Sequence, residues 1–125
     1  LERLVAHAEK NSLALISLMA RLDSRGVWGG LLIPAFVFFF QKLYPFRRVN
    51  NRADSTAAAA GGCMLVRRGV LDEIDGVQGI RGEIIDDCAL AAAIKRGGRS
   101  IWLGIAQFEA ISLRDNRALG SIWTM

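Results

Sequence analysis

The sixteen residues from Gly26 to Gln41 carry no charge, and four of the six phenylalanines crowd into them as Phe36, Phe38, Phe39 and Phe40. A stretch this apolar has to be covered by protein or by lipid, and that requirement narrows the available folds. As a helix it would reach about 24 Å, short of the roughly 30 Å hydrocarbon core of a bilayer. Gly29-Gly30 and Pro34 interrupt it further. These features predict a helix lying in a membrane interface, or a re-entrant segment, rather than a span; a buried core helix is the competing reading. The flanks favour the interface. Lys42, Arg47, Arg48, Arg52, Arg67 and Arg68 face only Asp54 across residues 42 to 68, and Trp28 and Tyr44 stand near the ends of the apolar run. That combination suits an anionic headgroup layer. Membrane contact is therefore expected through Phe36, Phe38, Phe39, Phe40, Arg47 and Arg48. Nucleic acid is the rival partner for a basic cluster, but the aromatics are consecutive rather than interleaved with basic residues and no nucleic-acid motif accompanies them.

The remainder reads as one α/β unit. The chain has 125 residues, enough for a single core, and its composition (52% apolar, 22% charged) excludes disorder. Leu1, Leu4, Val5 and Ala8 recur at helical spacing. Leu13 to Leu22 is continuously apolar until Arg21, and periodicity cannot decide there between a buried strand and a helix. Asn50 to Ser55 has the chemistry of a loop. Cys63 to Val66 reads as a strand, Arg67 to Ile74 as a short helix turning near Gly76. The clearest helix covers residues 83 to 98, with Asp86 and Asp87 at its start, Lys95 and Arg96 in its last turn and Gly97-Gly98 as its stop. Arg99 to Ile105 follows as a strand. Neither end carries a start or stop signal: the chain begins on Leu1 mid-pattern and ends on the apolar Gly120 to Met125, so it is expected to be an internal piece of a longer protein.

The two cysteines, Cys63 and Cys88, have no CxxC spacing and no histidine nearby. A structural zinc site is disfavoured, and two buried reduced thiols are expected ahead of a disulfide. His7, the only histidine, lies far off in sequence, so Ser-His or Cys-His catalysis has no support. Two segments remain for chemistry: Gly61-Gly62-Cys63-Met64-Leu65-Val66, and Ile85-Asp86-Asp87-Cys88-Ala89-Leu90. Adjacent carboxylates at a helix start can serve as a general base aimed at an incoming hydroxyl, or can simply cap the helix.

The run Ala57 to Arg68 (AAAAGGCMLVRR), followed by Ile80-Arg81 and Ile85-Asp86-Asp87-Cys88-Ala89-Leu90-Ala91, resembles family 2 glycosyltransferases. More narrowly it is similar to the membrane-associated, hopanoid-biosynthesis (hopene-associated) subfamily, which the segments Leu31 to Gln41, Tyr44 to Arg47 and Ile101 to Gly104 also resemble. The resemblance implies the acceptor-side, C-terminal half of a Rossmann-like GT-A domain on the cytoplasmic face of a bacterial inner membrane. The reaction would be inverting transfer of a sugar from a nucleotide-diphosphate donor to a hydroxyl acceptor, lipid-linked or hopanoid-related. Asp87 would be the catalytic base, with Asp86 where the family usually has Glu; Gly61, Gly62 and Cys63 would line the acceptor and donor sugar. The family's Asp-x-Asp motif, which holds Mg²⁺ or Mn²⁺ on the donor diphosphate, has no match here, since Asp72 and Asp75 are spaced wrongly. Those ligands are expected upstream of Leu1, so this piece alone is expected to be inactive. A Gln-x-x-Arg-Trp-type element is also unmatched, although Trp123 sits in its neighbourhood, and transmembrane helices are expected beyond Met125. The alternative is a non-catalytic membrane-interface module, in which Asp86 and Asp87 are only structural.

Overall fold

The computed structural model describes residues 1–74, 86–107 and 109–113. Helix α1 (Glu2–Lys10) leads into strand β1 (Leu13–Met19), then the long helix α2 (Gly26–Leu43) and the short α3 (Phe46–Val49). Strand β2 (Met64–Val66), helix α4 (Arg68–Glu73), helix α5 (Asp86–Arg96) and strand β3 (Ser100–Ile105) complete the order. The expected turn near Gly76, Ile80-Arg81, the start of the predicted helix before residue 86, and Gly120 to Met125 with Trp123 lie outside the described residues.

The ambiguous run at Leu13 resolves as the central strand of a small sheet ordered β2-β1-β3. β1 pairs antiparallel with β2, through Leu15↔Val66 and Ser17↔Met64, and parallel with β3, through Ile16↔Trp102 and Leu18↔Gly104. All seven residues of β1 are buried. A strand covered on both faces has no solvated side, so it reads as an unbroken apolar run instead of alternating. The register against β3 shifts between Leu13 and Leu15, an extra residue that turns the consecutive Ala14 and Leu15 into the same side of the core.

The two faces have separate coverings. On one, Leu4 and Ala8 of α1 pack with Leu13, Ile16, Leu65 and Trp102. On the other, Leu90, Ala91 and Ile94 of α5 meet Leu15, Ile101, Leu103, Val49, Val70 and the buried Ala58 and Ala59. The expected α5 stop holds: Gly98 has a positive φ of 76°, and the Arg99 N–H bonds back to the Ile94 carbonyl. This is an α/β arrangement, as the alternation of elements implied.

Three polar side chains fasten the connections. Asn50, after α3, both donates to the Leu103 carbonyl (3.0 Å) and accepts the Leu103 N–H (2.7 Å), standing in for a neighbouring strand on β3. Arg67 reaches the Leu13 carbonyl from the end of β2 (2.8 Å). The Lys95 ammonium donates to the carbonyls of Arg48 (3.2 Å), Val49 (2.8 Å) and Thr56 (2.6 Å), so α5 closes the last turn of α3 rather than only answering its own dipole. Burial pulls the Lys95 pKa down, and the charge of Asp54 opposes that shift.

Helix α2 has 18 residues, about 27 Å, and it runs through Gly29-Gly30 and Pro34 without a break. It is not a buried core helix. Gly29 and Ile33 are its only buried residues, and Val27, Trp28, Leu31, Phe36, Phe38, Phe39 and Leu43 are exposed. By length and composition alone it could cross a membrane.

Gly104 is fixed by close contact: a Cβ there would sit 2.3 Å from the Trp102 ring, whereas one on Gly69, within α4, would meet nothing within 4 Å. Gly104→Ala is therefore expected to cost about 1–3 kcal/mol by overpacking. Gly69→Ala is expected to gain a few tenths to about 1 kcal/mol by stiffening the unfolded chain. Urea unfolding of the two variants measures the contrast.

Candidate functional site

The site begins with a buried hydroxyl. Ser17, in the middle of β1, is fully buried; its Oγ donates to the Ala60 carbonyl (2.9 Å) and accepts the Ala60 N–H (2.7 Å). A buried hydroxyl without partners would cost about 1–3 kcal/mol, so this reciprocal pair pins the extended Ala57–Ala60 segment to the sheet. The next residue, Gly61, then points its N–H at Asp87 Oδ2, 2.8 Å away and 26 residues on in sequence. Asp87 Oδ1 accepts the N–H of Cys88 at 2.7 Å. Two backbone donors thus orient the half-buried carboxylate against the glycine pair.

Gly61 and Gly62 are both exposed. A Cβ on Gly61 would stand 3.4 Å from Asp87 Oδ2, and one on Gly62 would press to 3.1 Å from the Ala20 Cβ. The first is ordinary contact and the second is tight, so close packing argues for glycine at 62 more than at 61. Cys63 is half-buried, and its carbonyl accepts the Leu18 N–H at 2.8 Å, which fastens the turn to β1. The sequence segments Gly61-Gly62-Cys63 and Asp87 therefore meet in space. Asp86 opens α5, but its side chain lies outside the described residues.

Cys63 and Cys88 are free thiols. They are half-buried, not buried as expected. Cys88 lies under Asp87, its Sγ 3.5 Å from the Ala59 carbonyl. Burial pushes its thiol pKa up, which disqualifies it as a ready thiolate nucleophile. Tyr44, directly after α2, packs with Cys88 against the same core cluster. The Tyr44 pKa is also raised, first by burial and then by Cys88 and the charge of Asp87. Sequence reasoning placed Tyr44 only at an interface; no local signal tied it to a residue 44 positions away.

The six residues expected at a membrane divide. Phe36, Phe38 and Phe39 are exposed, as are Arg47 and Arg48. Phe40 turns inward, half-buried against the core and stacked near Tyr44 (5.3 Å between ring centroids) and Phe46 (6.5 Å). It therefore anchors α2 to the domain. Arg48 donates from Nε to Asp54 (2.8 Å), and Lys42 sits 5.6 Å over the Phe38 ring. His7 is remote from this cluster, edge-on to Trp102 at 5.0 Å. Among the described residues, three His, Cys, Asp or Glu side chains do not converge into a metal-binding group; the ligands for the Mg²⁺ or Mn²⁺ that the resemblance implies are expected outside them.

Compared with family models, curated proteins and solved structures, the chain matches none.

The Arg48 guanidinium bonded to Asp54, with Thr56 adding to it, holds that carboxyl well below the usual carboxylate range. A depressed folded-state value contributes stability above the unfolded pKa of about 4, and that contribution disappears as pH falls below it. Asp54→Asn is accordingly expected to flatten the acid limb of the stability–pH curve below about pH 4, with little change in its shape at neutral pH. Thermal unfolding across the acid range measures this.

Proposed function

We propose that the chain is the acceptor-side half of an inverting GT-A-type glycosyltransferase domain that works on the cytoplasmic face of a bacterial inner membrane. The observation that carries this reading is the Gly61 N–H to Asp87 Oδ2 hydrogen bond. It joins the two segments singled out for chemistry and holds a half-exposed carboxylate over side-chain-free backbone.

The chemistry such a carboxylate performs is proton removal. An alcohol is a poor nucleophile until its proton leaves in the transition state. Asp87 takes that proton while the acceptor oxygen bonds to the anomeric carbon. The electron pair of the breaking bond departs with the nucleotide diphosphate on the opposite face, which inverts the centre. Gly61 and Gly62 supply the open floor for the sugars. In this reading Mg²⁺ or Mn²⁺ would neutralise the departing diphosphate from ligands upstream of Leu1; none of the steps assigned to the described residues passes through it. The acceptor is a hydroxyl compound, lipid-linked or hopanoid-related, met at the membrane surface through α2.

A second reading, a non-catalytic membrane-interface module, is favoured by one observation: the outward side of α2 is itself apolar, with Val27 82%, Phe39 68% and Leu43 69% exposed. Both readings place Phe38 and Phe39 in lipid. Phe38→Asp together with Phe39→Asp is expected to lower co-sedimentation with phosphatidylglycerol vesicles by about tenfold or more, since two aromatic anchors are lost and two charges added.

Asp87→Asn separates the two. Asparagine keeps an oxygen for the Gly61 N–H but cannot act as a base. In the full-length protein it is expected to lower sugar transfer by about 10³-fold or more while leaving nucleotide-sugar binding and vesicle binding intact. Transfer near the wild-type rate would reduce Asp87 to a structural link and leave the module.

A further inference from the structure

Three consecutive residues ahead of β2 are each held by a different partner. The Ala59 carbonyl accepts from the Cys88 Sγ (3.5 Å), and Ala60 is bonded at both its N–H (2.7 Å) and its carbonyl (2.9 Å) by the Ser17 hydroxyl. The Gly61 N–H donates to Asp87 Oδ2 (2.8 Å). The last two contacts are mechanically one. The Ala60 carbonyl and the Gly61 N–H belong to the same peptide group, which is planar and trans. In a trans plane the C=O and the N–H point in opposite directions. Drawing the carbonyl onto the Ser17 hydroxyl inside the sheet therefore aims the N–H outward, at the carboxylate. The bonds also act in series, since a carbonyl that accepts a hydrogen bond polarises the N–H of its own peptide group and makes it a better donor. Ser17 is fully buried, so water does not compete for the inner end of this chain of bonds.

We propose that Ser17 is a positioning residue for the Asp87 carboxylate, acting from the middle of β1 through the Ala60–Gly61 peptide plane. Asp87 has a second tie, the Cys88 N–H on Oδ1 at 2.7 Å, but that donor is its neighbour in α5 and moves with the helix. The Gly61 N–H is the tie that refers the carboxylate to the sheet. Without the Ser17 hydroxyl, the Ala60 N–H and carbonyl lose their buried partner and the plane is free to rotate. The carboxylate then keeps its charge but loses its fixed direction, and a misdirected base removes its proton less often. Nucleotide binding, which this reading assigns to the half upstream of Leu1, does not depend on that direction. The role in transfer rests on the transferase reading; the mechanical coupling of Ser17 to Gly61 does not.

The test uses the full-length protein, with amide hydrogen exchange read residue by residue beside steady-state sugar transfer. Ser17→Ala removes the hydroxyl, and Val70→Ala, a truncation of a buried core residue in α4, is the control for lost packing alone. Ser17→Ala is expected to speed exchange of the Gly61 amide by about tenfold, the loss of one hydrogen bond, while Ile101 and Leu103 in β3 keep their protection. Val70→Ala is expected to leave Gly61 unchanged relative to β3. In transfer corrected for the folded fraction, Ser17→Ala is expected to lower kcat by about 10- to 100-fold at unchanged KM for the nucleotide sugar, and Val70→Ala to keep its kcat. Unchanged Gly61 exchange in Ser17→Ala, or an equal fall of kcat in both variants, overturns the proposal. If Ser17→Ala releases Gly61 but Asp87→Asn transfers at the wild-type rate, the coupling stands and the transferase reading falls. If Asp87→Asn is inactive while Ser17→Ala releases Gly61 and keeps its full kcat, the transferase reading stands and Ser17 loses its positioning role.

Discussion

Everything in this domain is referred to the double-sided burial of β1. With α1 against one face, α5 and α3 against the other, and a strand along each edge, its seven residues are sealed from water. That environment tolerates a polar side chain only when both its donor and its acceptor are used. Ser17 is the one buried polar residue among the described ones, and Ala60 uses both. The hydroxyl thereby fixes a backbone segment that belongs to no regular element. The order extends one residue further, to the Gly61 N–H and the Asp87 carboxylate. A demand of the core is what gives the surface site its geometry.

The elements with local signals were readable from the sequence. α5 carries its stop in Gly97-Gly98 and its buried stripe in Leu90 and Ile94, and β3 follows from the apolar run after it. β1 was not readable as a strand, because burial on both faces erases the alternation that identifies one. The juxtaposition of the glycine pair with Asp87 came from a family resemblance, not from spacing. The side chains that connect distant segments were hidden for a different reason. Asn50 has the composition of a turn residue, yet its amide completes the edge of β3. Lys95 suits a helix C-terminus, yet its ammonium closes a different helix. Tyr44 and Phe40 look like two more aromatics of an interfacial stretch until the fold packs both, with Phe46 and Cys88, against one core cluster. In each case the partner lies beyond the range of any local pattern.

Helix α2 carries the strongest tension in the structure. A helix apolar on all sides belongs inside a protein or inside lipid, and this one is fastened to the domain by a narrow edge only. Gly29 and Ile33 are buried, Leu32, Ala35, Val37 and Phe40 are half-buried, and the other residues of the helix are exposed. Exposed apolar area of this size marks a contact surface. Pro34 adds to the case. It withdraws the bond that residue 34 would otherwise give to the Gly30 carbonyl; Gly30 and Pro34 are both exposed, and an interface can supply that carbonyl with water or headgroup donors where a hydrocarbon interior cannot.

The charge around α2 shows where such an interface would be electrostatic. Arg48 is answered by Asp54, so that pair contributes little net charge to a surface field. Arg52 and Arg67 are spent differently, on the carbonyls of Gly98 and Leu13. A carbonyl orients a guanidinium without cancelling its charge, so both side chains stiffen the fold and remain cationic. Lys42 lies over the Phe38 ring at the end of the helix, where its stem can follow the apolar surface and its ammonium can stay in water. Arg47, in α3 just after that helix, is exposed. The positive charge therefore gathers at the C-terminal end of α2, the end after which Tyr44 packs with Cys88, the neighbour of Asp87 in sequence, against one core cluster. An anionic surface attracting that end would bring the acidic site close to the headgroup layer, even though a carboxylate alone would be repelled from it.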